Sequence, residues 1–365
     1  LVVVAFSLPS FLASPIAGSM VDRFDRRRIL VVVSVVQSVA ALGLLLVGKD
    51  TIWLAFLAQS TVSALAAVVG PATEASIPNI ARDNDELAAA NSLLGSTWGV
   101  MLAVGAAIGG VFASAFGRDA AFIANGVSFA LAAILFSRIK TPMQKDRNVE
   151  TQRQRIRPIA DMREALTHSR KDPVLMALIF SKTTFAIGAG VVSQLAVLAS
   201  DVFNGGDAAR GLLIGVRGVG TGLGPLIAMR YTRGQLSKVL TICGFASLAF
   251  SGFYFIGAWM PTLWLTAIFV MLAHLGGGAQ WTLSSYGLQL RSPDHIRGRI
   301  LAGDFALVTL MLSLTSALAG LVSEYFGVRQ AISGFACAAA IASVIYIRAT
   351  KRLRTQLLIQ LDAKP

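Results

Sequence analysis

Five ionisable side chains stand within long apolar stretches of the chain. Lys182 lies nine residues into an apolar stretch that opens at Pro173, Arg217 lies midway along GLLIGVRGVGTGLGPLIAM, and His274 follows the uncharged run 263–273. Glu74, in VVGPATEASIPNI, and Asp304, in RGRILAGDFALVT, are their acidic counterparts, each one to two turns from the end of its stretch. An ionisable group at bilayer depth costs roughly 3 kcal/mol or more unless it lines a wet cavity or finds a partner. Two buried cations suit an anionic group on a small molecule. A poorly hydrated carboxylate holds its proton more tightly than usual and can exchange it near neutral pH. Plainer readings stand beside these: the cations snorkel or pair with Glu74 or Asp304, the two acids are hydrated helix-end charges, and His274 is a core imidazole held by one hydrogen bond.

The elements that must carry these residues are apolar helices. Hydrophobic residues make up 55% of the 365, charged residues only 14%, and mean hydropathy is +0.67. Eleven stretches are long and uncharged enough to cross hydrocarbon, which takes roughly 18 residues of helix. They are 1–21, 29–48, 51–80, 87–117, 120–137, 173–200, 211–229, 239–257, 261–290, 300–323 and 330–347. Between Val239 and Leu290 no Lys, Arg, Asp or Glu occurs, so the Trp-Met-Pro turn at 259–261 is the only place to divide two spans there. The class is an all-α polytopic membrane protein.

A net charge of +13 raises nucleic acid as a partner, but the positions of the charges argue against it. Of the 32 Lys and Arg residues, 26 fall in alternate connections and in the C-terminal tail, and only Lys49, Arg118, Arg210 and Arg329 fall in the others. Basic residues stay on the cytoplasmic side, so the turn at 22–28, the linker 138–172 and the tail 351–365 are expected there, with the lipid bilayer as the chain's solvent. Cys243 and Cys337 are isolated in apolar stretches and have neither metal-ligand nor disulfide spacing. GVGTGLG follows a membrane span instead of a strand, and no GK[ST] loop occurs, so neither a nucleotide cofactor nor a catalytic site is expected.

The linker 138–172 separates an N-terminal bundle, 1–137, from a C-terminal bundle, 173–350. After Pro158 in the linker, Ile159, Met162 and Leu166 form one stripe of a short basic helix suited to an anionic lipid surface, or to a solvated connector. Sliding the chain over itself lays the segment from Ala81 on the segment from Arg291 without a gap. Gly110 then matches Gly320, Phe116 matches Phe326, Gly117 matches Gly327 and Ala121 matches Ala331. An even shift in span number preserves orientation, so the halves are parallel repeats. Six spans in each half would place one span before Leu1, where the chain begins without Met and already inside an apolar stretch.

The first hairpin closes with GSMVDRFDRRR: Gly18, then Asp22 and Arg23, then Arg26, Arg27 and Arg28. A Gly permits close helix approach, an Asp at a helix end suits another helix's positive N-terminus, and an Arg cluster suits an anionic leaflet. This loop resembles the signature loop between helices 2 and 3 of the major facilitator superfamily, G-x-x-x-D-R/K-x-G-x-R/K-R/K. Asp25 replaces the second Gly, and Asp tolerates the left-handed turn that Gly would take. The equivalent second-half turn keeps Arg230, Arg233, Gly234 and Lys238 without an acidic partner. Gly105, Gly109 and Gly110 in GVMLAVGAAIGG resemble an element of the superfamily's exporters, and as small residues they also suit plain helix packing. The segments DELAAAN, GVRGVGTGLGP and IRGRI resemble the bacterial exporter branch that includes the enterobactin exporter.

The resemblance implies a major facilitator fold of two six-helix bundles, with helix 1 absent and eleven transmembrane helices present. It further implies a monomer in the bacterial inner membrane that exports a small-molecule substrate, drug- or siderophore-like, by alternating access, with protons as coupling ion and without a cofactor or metal. On that reading Gly18, Asp22 and the arginines form the conformational switch loop, Lys182 and Arg217 meet substrate or counter-ion, and Glu74 and Asp304 carry protons. The other functions consistent with the same residues are import of a small metabolite and a transporter fold that no longer transports.

Overall fold

The computed structural model describes the backbone of residues 2–48, 50–144, 156–232 and 234–362, with side chains undescribed at 2–8, 106, 107, 110, 361 and 362. Every long element is a helix: α1 (Val2–Arg23), α2 (Arg26–Gly43), α3 (Trp53–Ile80), α4 (Asn84–Arg138), α5 (Pro158–Lys171), α6 (Pro173–Ala189), α7 (Gly206–Thr232), α8 (Leu236–Ala258), α9 (Leu263–Arg291), α10 (Asp294–Phe326), α11 (Val328–Ala349) and α12 (Lys351–Asp362). Among the described residues ten helical segments are long and apolar enough to cross a membrane. They correspond to ten of the eleven expected stretches. The eleventh is α1, helical throughout, whose first residues have undescribed side chains.

The repeat reappears as backbone geometry. α4 is two helical limbs broken at Gly117, with φ 85° and ψ 167°, and Gly327 separates α10 from α11 with φ 89° and ψ 157°. The two glycines are a pair matched by the overlay of the halves, and the helix starts Asn84 and Asp294 are matched by the same overlay. A side chain at either glycine would meet the steric penalty of positive φ, so the Phe-Gly pair is what lets both copies turn back into the bilayer. α6 ends early: Gly190–Gln194 tightens to a 3-10 helix and Leu198–Val202 loosens to a π-helix. The Cβ missing from Gly190 would strike the backbone of Thr315, and the Thr315 hydroxyl donates to the Ala186 carbonyl at 3.0 Å, so α6 is locked to α10 where it changes winding.

Two compact units emerge, and each draws on both sequence halves. The first comprises residues 1–82, 108–172 and 291–310, and the second 83–107, 173–290 and 311–365. In the second unit, Val191, Leu195, Leu213, Phe250, Tyr254, Val270 and Ile332 are among the buried residues of one core.

α5 forms where its Pro and apolar spacing place it, and Ile159 and Leu166 of the stripe point outward, as a lipid-facing or solvated stripe would, with Met162 half-buried. Asp161, Ala165 and Ser169 are buried at i, i+4 and i+8, while Ile159 is 85% exposed. The physical cause is Asp161, whose Oδ2 accepts from Ser19 Oγ at 2.7 Å and whose Oδ1 accepts from Arg23 Nη2 at 2.8 Å. A charge-assisted bond with an added hydroxyl donor fixes the rotation of a short helix.

Candidate functional site

In the first unit the signature loop closes on the start of α10. Gly18 faces α10 so closely that a Cβ there would stand 2.8 Å from Arg299 Cα and 3.0 Å from Ala302 Cβ. One turn on, Asp22 Oδ1 accepts from the Gly298 backbone N–H at 2.7 Å, and Oδ2 accepts from the Arg299 N–H at 3.1 Å and from its Nε at 3.0 Å. A buried carboxylate thus meets a guanidinium and two amides near the start of α10, donors that offset part of the cost of burying it.

Arg26 lies beneath it, fully buried. Its Nη1 donates to the carbonyls of Ala75 at 2.8 Å and Met143 at 3.0 Å and to Asp294 Oδ1 at 3.0 Å, its Nη2 donates to the Asp294 carbonyl at 3.2 Å, and its Nε to the Val21 carbonyl at 3.2 Å. Asp294 Oδ1 also accepts from Asn79 Nδ2 and Arg297 Nη1, both at 2.8 Å. The lipid-anchoring role expected of the arginine cluster therefore fails for Arg23 and Arg26, which are buried inside the protein, Arg23 pairing through Nη2 with Asp161. Arg28 alone of the four is exposed. Asp25 is likewise corrected: its φ is −62°, and its side chain accepts from the Arg28 N–H as the N-cap of α2. An Asp that caps a helix gains a charge-assisted bond, which a left-handed turn would forfeit.

Arg299 is shared. Its Nη1 pairs with Glu164 Oε2 of α5 at 2.6 Å, so α5 holds Arg23 through Asp161 and Arg299 through Glu164. Burial pushes the Asp161 carboxyl pKa up, but hydrogen bonds from Ser19, the Arg157 N–H and Arg23 outweigh it and hold the group below its ordinary 3.8. A depressed pKa means that this docking is at full strength above the unfolded carboxylate value and is lost only as pH falls through the lower folded value. Hydrogen exchange along α5 is accordingly expected to show no loss of protection between pH 5 and pH 8 and to be faster in Asp161→Asn; equal exchange in that variant would refute the pairing. Sequence patterns give no pairing role to Asp161, Glu164, Asn79, Asp294 or Arg299, although Arg299 lies in the exporter-like IRGRI. The signal available was the segment SPDHIRGRI itself, an acid and two arginines close together in the repeat's second copy.

In the second unit α4 and α7 meet backbone to backbone. The Cβ absent from Gly99 would fall on Gly222 N and Cα, and that of Gly218 on Ala103 N. Ser96 Oγ donates to the Gly222 carbonyl at 2.8 Å. Nearer the start of α4, Asn91 and Gln289 exchange amide hydrogen bonds at 2.7 and 3.2 Å, an uncharged join between α4 and α9. The glycines expected to pack were others. Among the described residues nothing lies within 4 Å of where a Cβ on Gly105 or Gly109 would stand, and Gly110 falls outside the described side chains. The close approach occurs earlier on α4, at Gly95 and Gly99, and at Gly99 the facing backbone is itself glycine.

The mid-membrane cations both belong to the second unit. Lys182, 3% exposed, donates to Ser285 Oγ at 2.9 Å and stands 5.1 Å from the centroid of Trp281. Arg217 lies within electrostatic reach of Tyr254 and His274, and its buried Nε has no hydrogen-bond partner among the described residues. His274 is held at both nitrogens, by Tyr254 Oη at 2.8 Å and Thr221 Oγ1 at 3.4 Å, one contact more than expected. The acids Glu74, half-buried on α3, and Asp304, buried on α10, belong to the first unit. The four residues are thus divided by charge between the units.

This arrangement of helices has known counterparts. The chain superposes on the human organic anion transporter MFSD10 with a TM-score of 0.76 at 13% identity, covering 94% of this chain and 82% of that one. A bacterial homologue of the iron transporter ferroportin, in an outward-facing state, matches with a TM-score of 0.71 at 14% identity, covering 95% and 89%. Among curated sequences it is 26% identical over 314 residues to a protein of Bacillus amyloliquefaciens named as a bacilysin exporter, BacE, covering 84% of this chain and 76% of that one. The namesake from Bacillus subtilis strain 168 is 24% identical, with 88% and 79% covered. A family model described as transmembrane secretion effector matches residues 1–360. With the helix repeat, the ion-paired signature loop and this match running nearly end to end, the chain belongs to the transmembrane secretion effector family of the major facilitator superfamily of transporters.

Proposed function

We propose that the protein is a proton-driven exporter of a small molecule carrying an anionic group. The observation that supports it most is the grip of Asp22 on the Gly298 and Arg299 amides. It joins a span of the first repeat to a span of the second at the end that carries the basic turns. The Gly99 and Gly222 contact joins another such pair. Closure at one end by contacts that can be broken is what alternating access requires of its two bundles, residues 1–137 and 173–350. The linker and tail are cytoplasmic on this reading, the membrane is the bacterial inner membrane, and one chain suffices.

Arg217 supplies a guanidinium with an unmet buried donor, and such a donor is satisfied when an acceptor on a substrate arrives. Lys182 supplies the second cation from α6. Glu74 and Asp304 carry the coupling proton in the opposite unit, and export follows the names of the Bacillus relatives. No nucleotide takes part; the proton gradient provides the work.

In proteoliposomes an imposed pH gradient is expected to drive uptake or release of anionic antibiotics from a screened panel, and Arg217→Ala to reduce that flux at least ten-fold. Asp304→Asn is expected to abolish gradient dependence while sparing substrate exchange. Flux that ignores the gradient in the unaltered protein would end the coupling claim. Accumulation in the reverse direction in oriented vesicles would make it an importer.

A further inference from the structure

An apolar groove of about 780 Å3 opens in the second unit beside the basic turn that joins α7 to α8, with α9 along it and α12 closing one edge. Gly224, Ile227 and Tyr231 give its wall along α7, faced by Leu275 of α9 and Leu358 of α12. Its inner end is set at Gly224, where a Cβ would strike the Leu275 carbonyl, so α7 and α9 touch there. From Gly224 to Tyr231 is about 10 Å of helix. That fits within the ~15 Å of hydrocarbon that one leaflet provides.

The groove's mouth is cationic. Lys238 lines it at the start of α8, and Arg354 of α12 donates from Nη1 to Thr241 Oγ1, itself a lining residue, at 3.3 Å. Lys351 and Arg352 stand on the same short helix, and no acidic side chain lines the groove among the described residues. Tyr231, 66% exposed, lies at the same level, where an amphipathic ring meets headgroups. α12 is fixed in place by the Ser237 hydroxyl, which donates to the Arg354 carbonyl at 3.0 Å, and by Arg354 Nη2, which donates to the Ile347 carbonyl at 2.7 Å.

We propose that this groove is a binding site for an anionic phospholipid drawn from the leaflet that the basic turns face. One acyl chain lies along Ile227 and Leu358, and the phosphate is held by Lys238 and Arg354. Basic pockets between spans on the side rich in Lys and Arg select headgroups by charge. A zwitterionic lipid brings its own cation against Lys238, so the selection is for net negative charge and not for chain length. The bound lipid ties α12 to α7, the helix that carries both Arg217 and the close-packed glycines.

The test reconstitutes the full chain in nanodiscs with a phosphatidylglycerol bearing a diazirine on its acyl chain, followed by irradiation and peptide mapping. Labelling is expected to concentrate on peptides covering 224–242 and 353–360 and to be competed by unlabelled phosphatidylglycerol at least five-fold better than by phosphatidylcholine. Lys238→Gln with Arg354→Gln is expected to reduce it at least five-fold. Because Arg354 also holds α12, Lys238→Glu alone is the second variant, and it is expected to remove the preference for the anionic competitor. Uniform labelling of all spans, equal competition by the two lipids, or an unchanged preference in Lys238→Glu would each overturn the assignment.

Discussion

Asp22→Ala is expected to destabilise the protein by about 3–5 kcal/mol, the cost typical of removing one partner from a buried ion pair. The size follows from what remains. Arg299 loses the carboxylate on its Nε, the backbone amides of Gly298 and Arg299 lose the acceptor they have beyond the helix, and Arg26, 3.8 Å from the same carboxylate, loses a neighbouring charge. Asp22→Asn keeps an acceptor oxygen and should fall between the two. Arg299→Ala should cost less than Asp22→Ala, because Asp22 keeps the backbone amides of Gly298 and residue 299. The measurement is thermal and denaturant unfolding of the purified protein, with a double-mutant cycle expected to give a coupling of about 0.5–3 kcal/mol between Asp22 and Arg299. An Asp22→Ala variant as stable as the unaltered protein to within about 0.5 kcal/mol, the range ordinary at exposed sites, would remove the latch.

Gly99→Leu is expected to end transport, and Gly99→Ala to reduce it at least ten-fold. A Cβ at residue 99 falls on the backbone of Gly222, and backbone cannot swing aside as a flexible side chain can. α4 and α7 must then separate, and overpacking in a tight interface costs about 1–3 kcal/mol. The control lies further along the same helix. Gly105→Ala and Gly109→Ala point into open space and remove a flexible glycine, so they should be neutral or stabilising by up to about 1 kcal/mol. Flux in proteoliposomes and melting temperature separate the two sets; a tolerated Gly99→Leu would show that the helices do not need this contact. Substitutions at Gly218, which meets Ala103 in the same way, should follow Gly99.

How much of this is legible in the chain alone varies with the range of the interaction involved. The spans, the hairpin turn after Ala258 and the paired Phe-Gly turns ending at Gly117 and Gly327 follow from hydropathy, proline and glycine, all of them local. The signature loop is recognisable by spacing, and its Asp does meet the first turns of another helix. The partners are not recognisable. Asp294 and Arg299 lie in the other half of the chain, and the pattern around them reads equally as an ordinary basic turn. The stripe of α5 tells which side of the helix is apolar, but not that Asp161 pairs with Arg23 and so fixes its rotation. The packing glycines of α4 sit earlier in the helix than the exporter-like element suggests, since spacing tells which residues are small and not which of them faces another backbone.

By itself the amino-acid sequence determined that the chain threads the bilayer in helices, repeats its design in its second half and keeps its Arg and Lys in alternate connections. Those features depend on the transfer of each segment from water to lipid, a property of composition over about twenty residues. Only the tertiary structure decided that Arg23 and Arg26 turn inward, that Asp25 caps α2, and that Gly99 and not Gly105 touches its neighbour. Each of those depends on which two elements approach and on which face. Hydrogen-bond geometry and packing act over a few ångströms, mostly between residues far apart in the chain, and no local pattern records them.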